Sequence, residues 1–206
     1  MLYISKATVN PKPSLIIAQI VATTEDGLIG VGDQLPWPRV KEDMRFFKAK
    51  TQKHIVIMGY NTILSLPNKF HDRFVVGVSR KTIDLNNEEH LKFNYRCDNI
   101  ISHVGQYGSF RYIKDLIGDK EYGEEYIYTL DPNIVYVAGG GMLYASSLLE
   151  TDVVFRNVIK CPLLELEGEK VYYPLERLKQ HFILIASEEV EIENGTMTKE
   201  IWVKPR

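Results

Sequence analysis

Ile134-Val-Tyr-Val-Ala138-Gly139-Gly140-Gly141-Met142-Leu-Tyr144-Ala-Ser-Ser-Leu-Leu149 decides the fold class. Four residues of high strand propensity and an alanine run into three glycines, and Met142 to Leu149 then reads as a helix. A buried strand that turns directly into a helix is the repeating unit of a mostly parallel α/β sheet. The same reading holds elsewhere. Ser14 to Ala22 is a near-continuous apolar run that suits a strand buried on both faces, and His54 to Met58 is another, opening through Gly59 into a helix from Tyr60 to Leu66 that Pro67 stops. Arg73 to Val78 and Val153 to Lys160 are further strands. Phe182 to Glu189 and Thr196 to Val203 flank Asn194-Gly195, which predicts an antiparallel hairpin at one edge.

The second informative stretch is Gly30-Val-Gly-Asp-Gln-Leu35-Pro-Trp37-Pro-Arg-Val-Lys-Glu-Asp43-Met44-Arg-Phe-Phe47. A loop from Thr23 to Leu35, with glycines at 27, 30 and 32, ends in Pro36-Trp37. A helix is expected from Pro38 to Thr51. Residues four apart share a helix face, so Asp43 and Phe47 project together with Met44 at the edge. An acid on an apolar, aromatic face is costly unless something pairs with it. A planar, nitrogen-rich heterocycle would hydrogen-bond the acid and stack on the ring. The competing reading, a solvated helix acid beside Glu42, is the commoner case for an isolated residue.

Composition narrows the function classes. The chain has 206 residues, 45% hydrophobic and 25% charged, with a formal net charge of -2. That suits one globular domain and offers no electrostatic footprint for nucleic acid or an anionic membrane. No segment reads as a secretory signal or a membrane span, so the expectation is a cytoplasmic protein with reduced thiols. Cys97 and Cys161 are far apart and lack metal-ligand spacing, and none of the five histidines falls in a metal or nucleophile arrangement, so no metal is expected. Residues 1–13 read as an extension of a domain covering 14–206. Within that domain, 80–133 is polar and hard to assign, with an apolar helical pattern near Phe110 to Ile117.

Three strand ends carry groups suited to phosphate. Gly139 to Gly141 leave the backbone open to a ligand, Thr62 lies in the first turn of a helix, and Ser79-Arg80-Lys81 closes a strand. Each has an ordinary structural explanation when taken singly. The Rossmann pattern G-x-G-x-x-G is absent.

Taken in order, these pieces resemble the dihydrofolate reductase family. The apolar strand, Gly27-Leu-Ile-Gly30, Leu35-Pro36-Trp37, Asp43 with Phe47, Ile57-Met58-Gly59, Thr62, Arg73, Gly139 to Gly141 and Tyr144 fall at family positions. The block Gly-Asp-x-Leu-Pro-Trp-x-Arg-Val-Lys-x-Asp is most similar to the enzymes of large tailed bacteriophages. The resemblance covers about residues 14 to 203. It implies a mixed sheet with helices on both faces, and NADPH-dependent reduction of dihydrofolate to tetrahydrofolate. By that resemblance Asp43 holds the pterin and supports protonation at N5, while Leu35, Trp37 and Tyr144 complete the catalytic surroundings. Ala22, Met44, Phe47, Leu66, Phe70, Arg73, Ala138 and Asn157 contact substrate, with Arg73 on the glutamate tail. Ala22, Ile29, Gly30, Gly59, Tyr60, Asn61, Thr62, Ser79, Arg80, Gly139, Gly140, Gly141, Met142 and Leu143 contact NADPH.

Two positions depart from the family. Tyr60 stands where a basic residue is frequent in the family, as, often, does Asn61, which shifts recognition of the 2′-phosphate toward Arg80, with Lys81 expected to matter less because its side chain alternates to the other face of the strand. Asn157 replaces a threonine that usually bonds the acid. Dihydrofolate, NADPH and antifolates are the expected partners, and a homodimer is compatible with the sequence. Two alternatives compete. The reductase of riboflavin biosynthesis would not need Asp43 with Phe47. A binding or structural protein that kept the fold, such as a phage particle component, would not need the acid, the loop and the glycines together.

Overall fold

The computed structural model describes residues 15–102 and 133–205. The extension at 1–13, the helical pattern at 110–117 and most of the 80–133 segment lie outside them. Ten strands and five α-helices follow in order among the described residues: β1 (Ile16–Thr23), β2 (Leu28–Val31), α1 (Lys41–Thr51), β3 (Ile55–Gly59), α2 (Tyr60–Ser65), β4 (Phe74–Ser79), α3 (Glu88–Arg96), β5 (Asn99–Ser102), β6 (Ile134–Val137), α4 (Gly141–Ser147), β7 (Val153–Lys160), β8 (Lys170–Tyr172), α5 (Leu175–His181), β9 (Ile183–Ile192) and β10 (Gly195–Val203). Eight strands form one sheet in the order β5-β4-β3-β6-β1-β7-β10-β9. The pairings from β5 to β7 are parallel, and β10 runs antiparallel to both β7 and β9.

The period of two along each strand builds two cores. Ile17, Val21, Ile57, Val76, Val135 and Val137 face one side, where Tyr144 and Leu148 from the α4 region and Leu175 and Leu178 of α5 cover them. Ala18, Ile20, Val56, Met58, Val75 and Tyr136 face the other, beneath Tyr60 and Ile63 of α2 and Phe93 of α3, with Phe46 and Phe47 of α1 at the margin. The parallel sheet with helices on both faces and a closing hairpin is therefore the observed architecture. Gly195 makes that hairpin: its φ is +150°, and a Cβ there would lie 1.9 Å from the Lys160 carbonyl oxygen.

The structure corrects several boundaries. The stretch 23–35 is not all loop, because Leu28 to Val31 pair antiparallel with β8 as a separate two-stranded ribbon. Helix α1 begins at Lys41 rather than Pro38, since Val40 is still extended at φ −96°, ψ 109°. Within 80–133, α3 is started by Asn87, whose side chain accepts from the His90 N–H, and Glu88 and Glu89 occupy its first turn, where acids favour the helix dipole. Strand β8 and helix α5 have no strong periodic signal. Three residues cannot show an alternation, and α5 is only two turns long.

Candidate active site

The carboxyl ends of the parallel strands β1, β6, β3 and β4 open toward one end of the sheet, the place where open α/β sheets bind ligands. Asp43 reaches this end from α1. Its Oδ1 accepts a hydrogen bond of 2.7 Å from the Asn157 side-chain amide on β7, and Asn157 sits opposite Ala22 of β1 in the sheet register. The acid is half-buried. Burial raises its pKa above the usual carboxylate value, and the bond from Asn157 offsets part of that rise. Asn157 is 2% exposed, and its own Oδ1 is buried without a hydrogen-bond partner among the described residues.

Around the acid the sequence-predicted residues gather in two groups. Trp37 is buried with Val40, Ile159 and Met197, and Ala22 packs against the same cluster. Leu35 projects from the preceding turn and is 54% exposed, and Met44 is 50% exposed. On the other side Phe47 and Phe70 approach with ring centroids 5.7 Å apart, and Leu66 packs in the same cluster. The Arg73 guanidinium lies 4.6 Å from the Phe70 centroid and 5.6 Å from that of Phe47. Its Nε donates to the Thr51 hydroxyl at 2.8 Å, and that hydroxyl donates to the Phe47 carbonyl at 2.7 Å. Thr51 is wholly buried and was not singled out by the sequence; only its place one turn after Phe47 hints at the role.

Tyr144 stands on the far side of the strand ends. It is 5% exposed, and its hydroxyl donates to the Ile20 carbonyl at 2.7 Å. Burial, then Tyr173, then the negative charge of Asp43 hold its pKa well above the usual phenol value, so the two residues share one electrostatic neighbourhood. The wholly buried Gln19 anchors this wall. Its Nε2 donates to the Tyr144 carbonyl and the Ser147 hydroxyl, and its Oε1 accepts from Tyr173.

The glycine turn lies between these walls. Ala138 donates its N–H to Ile57 at the end of β6, and the Gly59 N–H donates to Gly139. Gly139 has φ +116° and is followed by a cis peptide to Gly140. A Cβ on Gly140 would stand 3.0 Å from the Thr62 Oγ1, and one on Gly141 only 2.6 Å from a Val171 methyl. Bare backbone thus packs directly against the Thr62 hydroxyl, an approach that a side chain would block, and the amides and hydroxyl side by side suit a diphosphate. Ile29 of β2 reaches Gly141 with its Cδ1, and Gly30 follows it on that strand beside the Gln34 carbonyl; Leu143 is half-buried, and Asn61 and Met142 are exposed. Tyr60 is buried at the end of β3. Beyond it, the Ser79 hydroxyl closes a turn onto Lys81 by accepting from its N–H and donating to its carbonyl. Arg80 is exposed, and Lys81, instead of alternating away, lies over the Tyr60 ring.

A half-buried acid and a triple-glycine turn at the strand ends of a mostly parallel sheet define a ligand-binding α/β protein. Residues 16–202 match the family model described as Dihydrofolate reductase, and the chain belongs to that family. It is 41% identical over 66 residues to dihydrofolate reductase type 8 of Escherichia coli, a match covering 32% of this chain and 39% of that protein. It is 29% identical over 153 residues to dihydrofolate reductase of Enterococcus faecium, covering 72% of each. The structure of dihydrofolate reductase from Enterococcus faecalis complexed with NADP(H) and RAB-propyl superposes with a TM-score of 0.62 at 18% identity, over 93% of this chain and 97% of that one. At that identity the likeness concerns the fold.

Proposed function

We propose that this chain reduces dihydrofolate to tetrahydrofolate with NADPH, supporting thymidylate and one-carbon metabolism. The observation that carries the reading is Asp43: one acid, raised in pKa by burial, held by a single amide and set among Phe47, Met44 and Trp37. A carboxyl in that position binds the nitrogen-rich edge of a pterin, and its burial makes it hold a proton more tightly than an exposed carboxyl does.

When bound, the reduced nicotinamide supplies the hydride that reduces the substrate's C6=N5 imine. The chain's own groups do the rest. Asp43 favours the proton at N5, directly or through water. Phe47, Leu66 and Phe70 exclude water and orient the flat ring and its benzoyl extension. Arg73 keeps Nε on Thr51, which leaves its two terminal nitrogens for the carboxylate of the glutamate tail. Gly139 to Gly141 and Thr62 hold the diphosphate, and Ala22, Ala138, Leu35 and Tyr144 surround the reacting rings.

No helix among the described residues is long and apolar enough to cross a membrane, and the reading places the enzyme in the cytoplasm. Antifolates would compete with dihydrofolate. The test is the loss of NADPH absorbance on adding dihydrofolate to the purified protein. No rate above that of the protein-free mixture would sink the reading in favour of a binding or structural role.

A further inference from the structure

The carboxyl ends of β3 and β4 hold a second group of interacting side chains. Tyr60 follows β3, and its ring packs against Phe93, with centroids 4.7 Å apart, and meets the His90 ring edge-on at 5.9 Å. The Tyr60 hydroxyl donates to Glu89 Oε1 at 2.5 Å. Lys81 Nζ stands 4.6 Å from the Tyr60 centroid and 3.7 Å from the same Glu89 oxygen. Hydrogen bonding to Tyr60, and secondarily the charges of Lys81 and His90, hold the Glu89 carboxyl below the usual range, so it is ionised at neutral pH. The lysine is positioned through its backbone by Ser79. Arg80 makes no hydrogen bond or ion pair among the described residues.

The sheet order says what this group faces. Asp43 is bonded at β7 and lies beside β1, the glycine turn ends β6, Thr62 follows β3, and Ser79 to Lys81 follow β4. From β1 to β4 are three strand spacings, about 14 Å. A dinucleotide with its reactive ring beside the acid and its diphosphate against the adjoining Gly140 and Thr62 therefore carries its far ribose to Tyr60, Lys81 and Glu89. This placement rests on the reading proposed above. A cation suits a ribose 2′-phosphate, whereas a carboxylate suits a free 2′-hydroxyl and repels the phosphate.

The geometry points to Glu89 as the residue that sets nucleotide selectivity here, by competing with a 2′-phosphate for Lys81 and by accepting from an unphosphorylated ribose. Lys81, not Arg80, is the phosphate reader, and it is half-neutralised by an acid fixed in place by Tyr60. The site consequently accepts both the phosphorylated and the unphosphorylated dinucleotide, with only a small preference between them.

Calorimetric titration of the full chain with 2′,5′-ADP and with 5′-AMP tests this without turnover. The Glu89→Gln variant keeps an oxygen for the Tyr60 hydroxyl and loses only the charge. Its affinity for 2′,5′-ADP is expected to rise about fivefold, the effect of one unit charge near 4 Å in water, while 5′-AMP changes little. The gain shrinks at high salt. Lys81→Met is expected to lose a similar factor for 2′,5′-ADP, and Arg80→Ala much less. An unchanged or weakened 2′,5′-ADP affinity in Glu89→Gln overturns the inference, as does a loss confined to Arg80→Ala. If those outcomes occur while the wild type still reduces dihydrofolate, only the selectivity inference falls. If the wild type binds neither fragment nor NADPH, the reductase reading falls with it.

Discussion

Asn157 and Asp43 are 114 residues apart in sequence and joined by one hydrogen bond of 2.7 Å, amide to carboxylate. The donor comes from β7 inside the sheet and the acceptor from α1, whose Phe46 packs against Phe155 of that same strand. The two influences on the acid are opposed: the surroundings favour its neutral form and the amide favours its charged form. The balance between them sets where the acid titrates.

Removing the acid should slow the chemistry and raise stability together. Asp43→Asn is expected to lower the reduction rate at neutral pH by about 10²–10⁴-fold while NADPH still binds. The folded-state pKa lies above the ordinary unfolded value of about 3.9, so the folded chain holds this proton more tightly. Its contribution to stability is full below the unfolded pKa and is lost as pH rises through the folded one. At neutral pH the variant should therefore melt above the wild type, with the difference closing below about pH 4. Thermal melts across a pH series check this, and a variant less stable at neutral pH would contradict it.

Asn157→Leu removes the influence that favours the charged form. The Asp43 titration seen in the pH profile of kcat/KM should then move upward, toward neutral pH. Asn157→Ser, which keeps a donor, should move it less. An unshifted profile in the leucine variant would mean that the amide does not tune the acid.

Arg73 lies over the aromatic pair Phe47 and Phe70, and its two terminal nitrogens make no hydrogen bond among the described residues. Arg73→Leu should cost on the order of 2–5 kcal/mol of dihydrofolate binding, the loss of a charge-assisted bidentate pair. A pterin without the glutamate tail should lose little. Comparing KM values for the two substrates decides it, and equal losses would leave Arg73 a purely structural role.

Arg156 is 4% exposed and serves two ends of the fold at once. Its guanidinium pairs with Glu200 of β10 at 3.0 Å and donates to the Thr23 hydroxyl and to the carbonyls of Thr24 and Glu25, where the chain turns toward the glycine loop. Arg156→Leu should destabilise the protein by about 3–5 kcal/mol, because Glu200 keeps its charge with no cation. Replacing both members by apolar residues should cost less. Urea unfolding of the single and double variants separates the two cases.

The sequence was most legible where a long-range pattern met a local one. Ile134 to Gly141 carries a strand, a turn without side chains and a helix start, so one reading covers three structural facts. The hairpin around Asn194-Gly195 is equally plain because a turn residue sits between two matched runs. The ribbon of β2 and β8 was hidden for a physical reason: its pairing joins residues 28–31 to 170–172, and neither piece is long enough to display an alternation. At the site, Asp43 stood out because an acid shared a face with Phe47. Thr51, Gln19 and Glu89 did not, since each acts through a partner distant in sequence whose position only the fold supplies. Lys81 misled for a related reason. Alternation along a strand predicts its direction only while the strand continues, and β4 ends at Ser79.

The outermost strand hangs on its neighbour. β9 pairs only with β10, and β10 fills the place between β7 and β9. Any opening of β10 therefore frees β9 with it and bares the edge of β7, beside the exposed Ile183, Leu184 and Ile185. Two unpaired edges are then offered to another molecule, so clumping on mild warming should steepen with protein concentration while the parallel strands still hold.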